Sequence, residues 1–153
     1  MKTRMRKPVD PDALLKRMAG LCAKSEQCTF DISTKLYKAG LPRDKREEII
    51  DYLTSNRYLD DARFARSFAN YKVRFSAWGK RKIRMALAAK RIPSDLISEA
   101  IDSIEEDDYE AAIRRVIASL QKLLKPDEKN PRQTLYRRLL ARGFESSIIS
   151  RFI

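Results

Sequence analysis

The chain contains no histidine. Ser–His and Cys–His nucleophile pairs are thereby excluded, because each needs an imidazole as its base. Glycine is scarce, with 4 in 153 residues, and neither a glycine-rich phosphate loop nor a G-x-G-x-x-G run occurs. The two cysteines, Cys22 and Cys28, have no second pair. A structural zinc site needs four cysteine or histidine ligands at recognisable spacing. They read as small half-buried side chains, and no metal or cofactor is expected. No apolar run approaches the ~18 residues of a membrane span. Lys2, Arg4, Arg6 and Lys7 open the chain without an apolar segment behind them, so a secretory signal is not expected and the cytoplasm is. Short β-branched runs between turn residues are also missing, which argues against strands.

Charge is plentiful and unbalanced. Charged residues make up 35% of the chain and hydrophobic residues 43%, the balance of a soluble, folded protein. The formal charge of +12 points to a polyanion, a partner that binds one, or an anionic membrane surface. The length suits one ordinary domain or a short array.

One helix-ending pattern occurs three times. Ile32, Leu36, Gly40 and Leu41 are matched by Ile83, Leu87, Arg91 and Ile92, and again by Leu135, Leu139, Gly143 and Phe144. The offsets are steady, 91 − 40 = 51 and 143 − 91 = 52. A fixed period of about 20–50 residues marks a repeat architecture, which tends to be long and curved and to lie along another macromolecule. The expected fold is all-α: an elongated, curved array of three tandem three-helix repeats, at residues 10–59, 60–106 and 107–153.

Apolar spacing places the helices. Asp10 or Asp12 can cap the first, with Pro11 in its first turn and Leu14, Leu15, Met18, Leu21 and Cys22 on one stripe. Thr29 or Asp31 caps the next, which carries Ile32 and Leu36 and stops at Gly40, the residue suited to a left-handed C-terminal cap. Pro42 and Asp44 open a third, with Ile49, Ile50 and Leu53 inward. Asp60 and Asp61 read as capping acids for the second repeat. There Phe64, Phe68 and Tyr71, or Val73, form the stripe, and Ser76 and Gly79 break the helix. A helix from about Lys80 to Lys90 turns Ile83, Ala86 and Leu87 inward. The next bears Leu96, Ile97, Ala100, Ile101 and Ile104. The acidic run Glu105–Asp108 reads as the boundary and cap of the third repeat, in preference to a metal-assisted reaction centre. Ile113, Ile117 and Leu120 follow, then a loop over 125–132, then Leu135, Leu139 and Leu140, with Ile148, Ile149, Phe152 and Ile153 closing the chain. These stripes have the spacing that helix packing needs, so no reactive centre is expected.

The segment from Lys72 to Arg91 holds eight basic residues and no acid. At ~100° per residue, Lys80, Arg81, Arg84 and Arg91 share a flank beside Ile83 and Leu87, with Lys82 and Lys90 elsewhere. Like charges one turn apart, such as Lys80 and Arg84, repel. The flank therefore reads as a surface for an anionic partner. Lys72 and Arg74 adjoin it. Tyr71, Phe75 and Trp78 border it. Trp78 has three readings: stacking on a base, anchoring a protein contact, or covering the core. A second basic group comprises Arg132, Arg137, Arg138 and Arg142.

The stretch Tyr58-Leu59-Asp60-Asp61-Ala62-Arg63-Phe64-Ala65-Arg66, followed by Gly79 through Ile92, resembles the RecX family of bacterial recombination regulators. The Leu139-x-x-x-Gly143-Phe144 ending extends the resemblance over most of the chain. Two positions depart from the family pattern: Ala86 stands where it has Glu, and Arg91 where it has Gly. The resemblance implies a monomeric, non-enzymatic protein. It implies binding to the RecA filament on single-stranded DNA across more than one protomer, with reduced ATPase, strand-exchange and co-protease activity. Partner or DNA-phosphate contacts are expected from Lys72, Arg74, Lys80, Arg81, Arg84, Arg91, Arg137, Arg138 and Arg142. Charge alone leaves a second expectation, a general basic nucleic-acid-binding helical module with no protein partner.

Overall fold

A computed structural model describes residues 7–153; Lys2, Arg4 and Arg6 of the basic N-terminus lie outside the described residues. The described residues are all-α, as expected. In chain order the helices are α1 (Pro11–Lys24), α2 (Thr29–Lys38), α3 (Arg43–Ser55), α4 (Asp61–Ser76), α5 (Lys80–Ala89), α6 (Ser94–Asp102), α7 (Glu106–Leu123), α8 (Pro131–Ala141) and α9 (Ser146–Phe152). Two compact units are distinguished, the first ending at Phe64 and the second running from Ala65 to Ile153.

In the first unit α1 and α2 both pack on α3. Met18, Ile32, Leu36, Leu41, Ile49, Leu53 and Leu59 form its core, with Leu14, Leu15, Leu21, Cys22 and Ile50 partly buried against it. Burial, with Glu26 nearby, raises the Cys22 thiol above its ordinary pKa. Asp10 caps α1, its side chain accepting the Asp12 N–H at 3.0 Å. The N-terminus of α2 departs from expectation: Cys28, not Thr29 or Asp31, holds the N-cap position. The Thr29 N–H donates instead to Asp61 Oδ1, 32 positions along the chain, at 2.8 Å. Asp60 is the acid that caps its own helix, taking the Arg63 N–H at 3.0 Å. The two adjacent carboxylates thus serve different helices. Arg63 Nε meets Glu26 at 2.6 Å and adds a bridge between the same segments.

The second unit contains the remainder of α4 and α5 to α9. Here α5 packs on α6, and α7, α8 and α9 pack on one another. Ala65, Ala69 and Val73 are fully buried on α4, whereas Tyr71 is 57% exposed. Of the two spacings open in the sequence, the Val73 one is realised. Ile83 and Leu87 are fully buried on α5, and Ile97, Ala100, Ile101 and Ile104 are buried at α6, with Leu96 and Ala86 only partly so. The acidic run lies mostly inside α7: only Glu105 precedes the helix, and Glu106, Asp107 and Asp108 fill its first turn, where carboxylates complement the helix dipole. Pro131 is the first residue of α8, so the loop is shorter than expected.

The recurring helix end is the same backbone motif each time. Leu41 N–H reaches Leu36 O at 3.2 Å, Ile92 N–H reaches Leu87 O at 3.2 Å, and Phe144 N–H reaches Leu139 O at 3.2 Å. In each, the residue before makes the tighter inner bond, at 2.9 Å. This is the paired-bond termination that needs a left-handed residue. Gly40 and Gly143 supply it with φ of 88° and 93°, and Arg91 adopts it at 57° despite its Cβ. Arg57 does the same after α3, at φ 60°.

Candidate functional site

The expected site residues all lie in the second unit, and their geometry begins with the turn between α4 and α5. Helix α4 ends at Ser76, Ala77 takes φ 50°, and Trp78 N–H folds back onto Lys72 O at 3.1 Å. Gly79 then meets the α8–α9 connection. Its N–H donates to Arg142 O at 2.9 Å, and Arg81 N–H donates to Gly143 O at 3.0 Å. Two backbone hydrogen bonds thus join the start of α5 to the end of α8. The approach leaves no room for a side chain: a Cβ on Gly79 would lie 2.1 Å from Gly143 C, and one on Gly143 would lie 2.4 Å from Lys82 Cβ.

Tyr109 of α7 supports this junction from below. It is buried, accepts the Lys80 N–H at 2.9 Å and donates to Glu145 Oε1 at 2.9 Å. Burial pushes its phenol well above the ordinary value, opposed by the Lys80 N–H and reinforced by Glu145. Its ring stacks at a tilt on Phe144, with centroids 5.5 Å apart.

The seam draws α5 and α8 together into an open groove of about 710 Å³, lined by Trp78, Arg81, Lys82, Met85, Ala86, Leu140, Ala141 and Gly143. The expected basic flank is divided by it. Arg81 faces the groove, and so does Lys82, which helical projection alone had placed elsewhere. Lys80 turns away, its ammonium 4.6 Å from the Tyr109 ring centroid. Arg84 turns towards α6, where Nη1 lies 3.5 Å from Ser98 Oγ. These separate partners relieve the repulsion between Lys80 and Arg84. Arg91 is exposed at its left-handed position.

The segment from Lys72 to Arg91 holds no acid of its own, but the fold brings one to Arg74 from α7: Asp108 lies 3.0 Å from Nη2. The pair is solvent-accessible and contributes about 0–1 kcal/mol, but it lowers the field Arg74 offers a partner. Lys72 stands over aromatic rings, 5.4 Å from Phe68 and 4.4 Å from Trp78, and Lys82 also stands 4.4 Å from the Trp78 centroid. Trp78 meets Phe68 edge-on at 6.2 Å. It is partly core cover and partly groove wall. On α8, Arg137 and Arg142 are exposed and Arg138 half-buried. Arg137 precedes Ala141 by one turn, on the helix stripe that reaches the groove.

Several contributors went unforeseen. Arg115 of α7 donates to Val73 O at 3.2 Å and to Arg74 O at 2.7 Å, satisfying carbonyls at the end of α4. Met85 is 73% exposed on the groove side of α5. Its spacing one turn from Arg81 was a usable signal, because it puts a large apolar residue on an otherwise basic face. Among the described residues no group of three or more Cys, Asp or Glu side chains is placed to hold a metal ion. No helix among them is long and apolar enough to cross a membrane.

Residues 60–101 match the family model described as RecX, second three-helix domain. The regulatory protein RecX of Prosthecochloris aestuarii is 31% identical over 142 residues, covering 92% of this chain and 91% of the relative. That of Bacillus licheniformis is 30% identical over 123 residues, covering 80% of this chain but only 47% of the relative's length. Two crystal structures share the fold. A regulatory protein RecX superposes with TM-score 0.80 at 20% identity, over 92% of this chain and 70% of the other. RecX from Lactobacillus salivarius gives TM-score 0.79 at 18% identity, over 92% of each chain.

Proposed function

This chain belongs to the RecX family of regulatory proteins, and from that premise we propose that it binds the RecA filament on single-stranded DNA and lowers its ATPase, strand-exchange and co-protease activities. The observation that carries the proposal is the family relationship itself, 31% identity across 92% of the chain. In this reading the protein is a monomeric, non-enzymatic, cytoplasmic regulator built of three tandem three-helix repeats at residues 10–59, 60–106 and 107–153. The recurring left-handed helix ends support the repeat, and the formal charge of +12 supports a polyanionic target.

The contact surface in this proposal is cationic. Arg81, Arg84, Arg91, Arg137 and Arg142 are exposed and carry the field outward, with Lys72, Lys80 and Arg138 beside them. Arg74 contributes less because of Asp108. Repeated modules touching successive protomers gain from effective concentration, so weak single contacts sum to firm binding of filament and poor binding of free RecA.

The test is RecA ATPase on single-stranded DNA, titrated with the wild type and with Arg84→Glu plus Arg137→Glu. Both side chains are exposed, so the variant should keep its fold while its inhibition weakens by about tenfold or more. Full inhibition by a folded double variant counts against the cationic surface. A parallel titration on bare DNA separates the general nucleic-acid module, whose binding would fall linearly with log salt and account for the entire effect on RecA.

A further inference from the structure

We propose that the groove between α5 and α8 is a preformed receptor for an acidic segment of a protein partner, one that inserts an apolar side chain between flanking carboxylates. The inference deepens the reading above and rests on it in one respect, that the partner is a protein.

The groove's construction argues for this occupant. Most of its lining is apolar: Trp78, Met85, Ala86, Leu140 and Ala141. Alanine at 86 and 141 and glycine at 143 open the trench by withholding bulk. Met85, exposed at 73%, is a flexible thioether side chain able to fit around an inserted group. The rim carries Arg81 and Lys82, and no carboxylate is among the lining residues. The volume of about 710 Å³ lies within the range of ligand-binding clefts. The spacing of the walls is set by Gly79 N–H on Arg142 O and Arg81 N–H on Gly143 O, so little ordering remains to be done on binding.

Charge decides the sign of the guest. A groove with two cations at its rim, on a chain of formal charge +12, attracts carboxylates and repels a basic peptide. Nucleic acid fits less well. Base stacking needs open aromatic faces, whereas Trp78 is the one aromatic residue in the lining and has ammonium groups of Lys72 and Lys82 each 4.4 Å from its centroid. Two rim cations also track too short a stretch of phosphate backbone.

Trp78 is the only tryptophan in the chain, so its fluorescence reports on the groove directly. The probe is a short tryptophan-free synthetic peptide with leucines flanked by aspartate and glutamate. A lysine-for-acid counterpart and an oligothymidylate serve as comparisons. The expected result is a saturable change in Trp78 emission with the acidic peptide alone. Its affinity should fall about tenfold or more in Met85→Glu and in Arg81→Glu, and be retained in Met85→Leu. Circular dichroism checks each fold, and the lysine counterpart tests the sign of charge in the wild type without any substitution. The proposal is overturned if Met85→Glu and wild type bind the acidic peptide equally, if the lysine peptide binds as well, or if only the oligothymidylate moves the emission. The two readings fail separately. A wild type that inhibits RecA while the acidic peptide leaves Trp78 unmoved sinks the groove alone. A wild type inert towards RecA sinks the family-based function and leaves the fluorescence titration to decide the groove.

Discussion

Gly79 and Gly143 come together so closely that a Cβ on the first would stand 2.1 Å from the carbonyl carbon of the second. The contact is backbone against backbone, so nothing flexible can move aside. Gly79→Ala and Gly143→Ala should each destabilise the protein by about 3 kcal/mol or prevent folding, through overpacking. At Gly143 the φ of 93° adds strain of its own. Gly40→Ala is the contrasting case. Its φ is 88°, yet its nearest neighbour would be Val9 Cγ2 at an ordinary 3.6 Å. It should cost only about 1 kcal/mol. Urea unfolding of the three variants checks the order.

Arg91 occupies a left-handed position that glycine fills at the two equivalent helix ends. Arg91→Gly should stabilise the fold by up to about 1 kcal/mol, since relief of the Cβ strain exceeds the entropy that glycine adds to the unfolded chain. Thermal unfolding measures this. In the proposed function the same change removes a cation, so inhibition of RecA should weaken while stability rises. A parallel fall in both would show that Arg91 supports the fold more than the contact.

Asp61 and Asp60 cap different helices, and substitutions should report that separation. Asp61→Ala leaves the Thr29 N–H of α2 without its acceptor and should cost about 1 kcal/mol. Asp60→Ala should cost a similar amount through α4. Hydrogen exchange distinguishes them: amides in the first turn of α2 should lose protection in Asp61→Ala only.

Tyr109 gives the second unit an alkaline limit. Its phenol is held well above its ordinary pKa by burial. A raised folded value means that its stabilising contribution is intact below the unfolded pKa, about 10. That contribution declines as pH rises beyond it, because only the unfolded chain readily releases the proton. Urea midpoints measured from pH 8 to 11 should fall above about pH 10 in the wild type. Tyr109→Phe should flatten that fall, at a cost of about 1 kcal/mol near neutrality from the unpaired Lys80 N–H and the lost bond to Glu145.

Legibility in the sequence followed the range of the interaction concerned. Helix ends at Gly40, Arg91 and Gly143 were readable because apolar spacing and a repeated offset are local signals. The left-handed backbone of Arg91 was not legible in the same way, because an arginine in place of glycine argues against that cap. Tyr71 and Val73 fitted the α4 stripe equally well, and only packing against the other helices selected Val73. Asp61 was assigned to its own helix because capping logic looks a few residues ahead, not 32 back. Lys82 was misplaced for a related reason: a helical wheel orders residues around α5 but does not show where α8 will stand. The pairing of Arg74 with Asp108 was likewise hidden, since the two lie on different helices.

The seam between the α4–α5 turn and the end of α8 has a further consequence for how such a surface can change. Its two hydrogen bonds use main-chain atoms on both sides. Beyond the pair of glycines that admit the close approach and the Tyr109 hydroxyl beneath it, no lining side chain takes part in these bonds. The exposed lining positions 81 and 85 can therefore be exchanged for other chemistry while the small residues at 86, 141 and 143 keep the trench open. What the surface offers a partner can then change without the scaffold being rebuilt.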